Sequence, residues 1–245
     1  MPDNPVEMKA IIVIKRIVAF LLLSVFLSFN VLASEKIYVF FPSNINSQSM
    51  QDKMTDIIKG VNITVFGKYN EFISRINSEP PDAVITKTML VKEQLGNYEI
   101  QLNGERKGKT VESYVILSTG EQFSVGSVNS ETVIGVLDIM GRTGMSTFSK
   151  LFFPIQPKLK RVSKLEDLLS LLSFDMIAGI MVEDIFTEYF KATSQMQFNI
   201  TPLKNANTGI VAFAVKKGGN AEKTATYLKN NEKRICDLFL IEKWK

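Results

Sequence analysis

Short β-branched and aromatic runs alternate with helix-forming segments along most of this 245-residue chain, and that alternation narrows the possible folds more than any other feature. Residues 37–41 (IYVFF), 61–66 and 82–86 have the composition of buried strands. Between them, helices are expected over 50–59, closed by Gly60, and over 71–77, broken by Pro80 and Pro81. Ser47 or Ser49 is the expected cap of the first helix. A less regular passage follows, with strands over 98–102 and 112–117. The alternation then returns, with strands over 133–137, 158–162, 175–182, 197–203 and 210–215 and helices over 164–172, 183–193 and 221–240. A helix between two strands carries the chain back to the end where it started, so such strands pair parallel. The expected fold class is α/β, with the strand–helix unit recurring in two blocks, each a mostly parallel sheet flanked by helices.

Ligands of such sheets bind beyond the carboxyl ends of the strands. Here those ends deliver residues 43–49, 68–70 and 86–88, all rich in hydroxyl, amide or cationic groups. The stretch 131–153 adds a strand, a turn Gly141-Arg142-Thr143-Gly144, and a helix expected to open at Ser146 and Thr147. The first N–H groups of a helix have no partner within it and lie at its positive end, so this junction suits a carboxylate or phosphate-like group. Glu183 and Asp184 fall at an expected helix start, where the helix dipole favours carboxylates, and a capping role is assigned to them.

The chain contains no histidine, which excludes Ser-His-Asp and Cys-His catalysis and most transition-metal sites. No cofactor, no metal and no catalytic residue is expected, and the chain is read as a non-enzyme. The lone Cys236 excludes an internal disulfide framework and reads as a small core residue. Lys and Arg are scattered among carboxylates, so no nucleic-acid partner is expected. At the N-terminus, Lys9, Lys15 and Arg16 precede an apolar run over 17–32, and Val31 and Ala33 stand at the third and first places before Ser34. That is the pattern of a cleavable signal peptide over 1–33, with Met1 or Met8 as the start. A retained N-terminal anchor is the alternative, if the apolar stretch extends back through residues 11–14. Removing 1–33 takes away three basic and two acidic residues and lowers the net charge from +4 to +3.

The order of parts resembles that of the type II periplasmic substrate-binding proteins, particularly their phosphonate-binding-like branch. The resemblance is carried by IYVFFPSNINSQS, DAVITKTM, ESYVILS, IGVLDIMGRTGMSTF and NTGIVAFAVKKGG. It implies a two-lobed fold, a periplasmic location and hinge closure on a small molecule. ESYVILSTG lacks the crossover motif common in amino-acid-binding members, and GRTGMSTF has fewer hydroxyls than phosphate binders usually carry. Lobe 1 is expected over 34–118, lobe 2 over 119–203, and a return to lobe 1 with a closing helix over 204–245.

The expected ligand contacts are Ser43, Asn44, Tyr69 and Thr86 from lobe 1 and Arg142, Thr143, Ser146 and Thr147 from lobe 2. Arg142 would take a carboxylate or phosphate-like group of a small polar ligand. Expected partners are that ligand and a membrane permease or membrane sensor, with the protein a monomer. The competing reading is a binding-protein-like fold without ligand, acting as an assembly partner in the cell envelope.

Overall fold

The computed structural model describes residues 34–43, 45–204, 208–230 and 233–245. The expected signal peptide over 1–33 and the expected contact Asn44 lie outside these residues.

Two three-stranded parallel units form the frame. In the first, β1 (Lys36–Phe40) pairs in parallel with β2 (Asn62–Val65) on one side and β3 (Ala83–Thr86) on the other. Helices α1 (Ser47–Ile57) and α2 (Tyr69–Ser78) make the crossovers. In the second, β7 (Val133–Leu137) pairs in parallel with β8 (Lys158–Val162) and β9 (Gly179–Glu183), through α4 (Gly141–Ser149) and α5 (Leu165–Ser173). The strand order is thus the same in both units, β2-β1-β3 and β8-β7-β9.

Antiparallel strands complete each sheet. After β3 and α3 (Thr88–Gln94) comes β4 (Tyr98–Glu105). Near the other end of the chain, β12 (Ala212–Lys216) inserts between β3 and β4, and β13 (Lys243–Trp244) closes the edge, giving a six-stranded sheet. The second sheet gains β6 (Tyr114–Ser118) beside β9 and β10 (Asn199–Pro202) beyond it, giving five strands. Two crossings lie side by side as an antiparallel ribbon of β5 (Val111–Glu112) and β11 (Thr208–Gly209). The strand over 114–118, assigned from sequence to the end of lobe 1, therefore pairs in the second sheet. Its five residues are all buried, so it needs a partner on each side, and β9 and β10 supply them.

Several boundaries differ from expectation for local reasons. Asn46, not Ser47 or Ser49, caps α1: its Oδ1 accepts from the Ser49 N–H at 2.8 Å. Helix α4 begins at Gly141, so Arg142 and Thr143 lie in its first turn and not before it. The strand expected from 175 begins at Gly179, because Asp175 turns the chain with a φ of +53° and leaves Phe174 75% exposed. The closing helix is two pieces, α7 (Glu222–Lys229) and α8 (Lys233–Leu238), and the helix after β9 is a 3-10 turn (Asp184–Phe186) leading into α6 (Thr187–Thr193).

Alternate residues of β1 divide between two cores. Ile37 and Val39 join Met50, Met54 and Phe213 under α1, α7 and α8. Tyr38 and Phe40 join Phe72 and Leu90 on the other face, with Phe40 stacked on Phe72 at 5.3 Å. Full burial of side chains of this size contributes about 1.5–3 kcal/mol each. This second cluster continues into lobe 2 through Tyr114, Ile134, Met140, Met145 and Phe148, so one buried apolar body spans both sheets.

Candidate functional site

The carboxyl ends of β2, β3 and β7 bring three helix starts to the same region: Tyr69 opens α2, Thr88 opens α3 and Gly141 opens α4. Together with the β11 crossing they enclose a cleft of about 630 Å³. That volume suits a small-molecule ligand. Thr88 is 5% exposed, and its hydroxyl has no hydrogen-bond partner among the described residues. Two cations reach the cleft from opposite lobes, Lys92 on α3 and Arg142 on α4. Neither makes an ion pair among the described residues, and Glu93 is the carboxylate at the same rim.

One donor of the α4 start is already taken. Asp138 Oδ1 accepts from the Gly141 N–H at 2.9 Å, and Asp138 Oδ2 takes the Arg161 guanidinium at 2.6 Å. Gly141 has a φ of +70°, and a Cβ built there would lie 2.6 Å from the Tyr69 ring. Glycine allows both the left-handed backbone and the close approach of the aromatic ring. Tyr69 in turn donates its hydroxyl to Gln94 Oε1, and the Gln94 amide donates to the Met140 carbonyl at 3.0 Å. Burial raises the Tyr69 pKa above its ordinary value, the Asp138 charge adds to the rise, and the hydrogen bond to Gln94 opposes both.

The expected ligand contacts distribute unevenly over this geometry. Tyr69, Arg142, Thr143 and Thr147 line the 630 Å³ cleft together. Ser43 lines a separate pocket of about 180 Å³ with Asn46, Asp138 and Lys164, and its hydroxyl accepts from the Ile45 N–H at 3.1 Å. Thr86 is fully buried at the end of β3, with no hydrogen-bond partner for its hydroxyl among the described residues. Ser146 is half-buried on α4, and its carbonyl accepts the Ser149 hydroxyl. The cleft also recruits Thr88, Lys92, Gln94 and Thr208. Thr88 lay within the strand-end segment 86–88, whereas Lys92 and Gln94 depend on α3, a helix of seven residues without a marked sequence signal.

Glu183 does not cap a helix. The 3-10 turn that follows it has no side-chain cap, and the Glu183 carboxylate is buried between the lobes against Lys87 and Tyr114. Helix-start position favoured a capping assignment, but β9 ends with its last side chain pointing into the interlobe core.

No protein-family profile matches the chain, and no curated protein matches it in sequence. Solved structures do match in fold. A binding protein component of a phosphonate ABC transporter from Pseudomonas aeruginosa superposes with a TM-score of 0.62 at 12% identity, over 86% of this chain and 81% of that one. The Xanthomonas citri protein XAC2383, bound to chloride ion, gives 0.60 at 11% identity over 86% and 91%. A double mutant of the BvgS VFT2 domain from Bordetella pertussis gives 0.56 at 10% identity over 84% and 92%. At such identities the likeness speaks for the fold: this chain has the two-lobed α/β architecture of the type II periplasmic solute-binding proteins.

Proposed function

We propose that this chain is an exported solute-binding module that holds a small polar ligand with an anionic group in the 630 Å³ cleft and presents it to a membrane permease or sensor. The observation that carries this reading is the convergence of three groups from both lobes: the buried Thr88 hydroxyl, which has no partner among the described residues, and the exposed Lys92 and Arg142, which form no ion pair among them. An anionic group between the two cations would neutralise them and leave Thr88 within a hydroxyl-lined wall shared with Thr143 and Thr147. The fold neighbours support a binding role without naming the ligand; they include a binding protein component of a phosphonate ABC transporter and the BvgS VFT2 domain. In this reading the protein works in the periplasm as a monomer and without catalysis.

A thermal-shift screen with inorganic phosphate, methylphosphonate, glutamate and citrate tests it, since a ligand that binds only the folded state raises the melting temperature by mass action. At least one anion is expected to give a saturable rise that Arg142→Ala or Lys92→Ala weakens by roughly 10- to 100-fold in affinity, the worth of one charge-assisted hydrogen bond. Silence across the set overturns the reading. It would favour instead a ligand-free partner in the envelope, for which the apolar cluster continuous across both lobes is the supporting observation.

A further inference from the structure

The strand ends nearest the crossings meet at a contact that no cleft ligand explains. Lys87 directly follows β3, and its Nζ lies 2.6 Å from Glu183 Oε2 at the end of β9. The two side chains are 1% and 5% exposed. Glu183 Oε1 accepts the Tyr114 hydroxyl at 3.0 Å, and the Phe41 ring centroid is 4.5 Å from the ammonium. Two of the four groups, Lys87 and Phe41, come from lobe 1, and the other two from lobe 2. The void beside Glu183, walled by Pro42, Tyr114 and Met145, is about 20 Å³, room for about one water and for no solute.

We propose that Glu183, Tyr114 and Phe41 form an ammonium-binding cage occupied by the chain's own Lys87, and that this internal ligand, not a solute, holds the two lobes in contact. A carboxylate, a hydroxyl bonded to its second oxygen and an aromatic face are the groups that recognise a primary alkylammonium. Both carboxylate oxygens are used, so the cage is filled when Lys87 is in it. Burial drives the Lys87 pKa below its ordinary value while the Glu183 charge and hydrogen bond pull it back up. Burial and the same carboxylate hold the Tyr114 hydroxyl well above its usual range, so it stays protonated and donates. Taking either partner away leaves an uncompensated charge in an apolar core, which ties the pair to the closed arrangement. A solute in the 630 Å³ cleft then enters a protein whose lobes have already met, and a membrane partner reads the cleft rim instead of hinge closure.

Two measurements test this, neither using a cleft ligand, so failure of the anion reading leaves both unaffected. In the first, the ligand-free full chain is treated with acetic anhydride and mapped by peptide mass spectrometry. Lys87 should acetylate more than about tenfold slower than the exposed Lys92 and Lys150, since it is reached only through opening of the lobes. Labelling at the exposed rate overturns the proposal.

In the second, Lys87→Ala is titrated with propylammonium, which replaces the missing part of the side chain. Its melting temperature should start below that of the parent protein and rise saturably. The parent protein and Lys87→Ala/Glu183→Gln should not respond, and propanol should have no effect on any of the three. A folded Lys87→Ala that ignores propylammonium overturns the proposal. Should Lys87→Ala fail to fold, the acetylation result on the parent protein decides alone.

Discussion

The Gln94 side-chain amide on lobe 1 donates to the Met140 backbone carbonyl on lobe 2 at 3.0 Å, while its oxygen accepts the Tyr69 hydroxyl. One amide therefore joins α2, α3 and the start of α4. Gln94→Met keeps the length of the side chain but leaves a carbonyl and a hydroxyl without their partners. The expected loss is about 1–3 kcal/mol of unfolding free energy. Urea titration measures it, and Gln94→Met combined with Tyr69→Phe should cost less than the sum of the two single changes, because they share one hydrogen bond.

Gly141 is held in the left-handed region against the Tyr69 ring. Gly141→Ala should cost about 1–2 kcal/mol for the backbone conformation. It should cost more again for the overlap of the new Cβ with the ring, 2.6 Å away. Tyr69→Ala removes the overlap but not the backbone strain. In that background the penalty of Gly141→Ala should shrink to the backbone part, a difference that denaturant titration of the four proteins resolves.

Asp138 joins the α4 start to Arg161 on β8. Asp138→Ala should destabilise by about 1–2 kcal/mol, as loss of a helix-start acceptor usually does. Asp138→Asn keeps an oxygen for the Gly141 N–H and should lose less. The loss on Asp138→Asn reports the Arg161 ion pair and should shrink as salt is added, whereas the further loss from Asn to Ala reports the Gly141 N–H bond and should not, so titrations at low and high ionic strength separate the two.

Glu105 ties the last strand to β4: Lys243 Nζ approaches it at 2.8 Å and Lys245 Nζ at 3.4 Å. The hydrogen bond from Lys243 holds the Glu105 pKa below its ordinary 4.5. A carboxylate depressed in the folded state stabilises fully above its unfolded pKa and loses that contribution as pH falls through the folded one. The melting temperature should therefore decline on the acid side, between about pH 5 and 3, and Glu105→Gln should flatten that part of the profile. An unchanged slope would remove Glu105 from the acid response.

What the amino-acid sequence determined by itself is the local alternation. Runs such as IYVFF and VIGVL are β-branched or aromatic and bury on both faces, and the helices between them force parallel neighbours, so two strand–helix blocks are legible without coordinates. The glycine turn was legible as a strand-to-helix junction, because Gly141 carries its backbone preference locally, and the structure places it with Arg142 on the wall of the cleft.

Tertiary structure decided the rest wherever partners are distant in sequence. Strand β12 enters between β3 and β4 from the far end of the chain, which no local periodicity encodes. Asp138 takes one donor of the α4 start, the Gly141 N–H, because its side chain lies three residues away on the turn and is fixed there by Arg161 from β8. Lys87 and Glu183 are separated by 96 residues, and each reads alone as a solvated strand-end charge or a helix cap. Their pairing exists because folding removes both from water at the same place, and a buried charge keeps its ionised form only beside an opposite one.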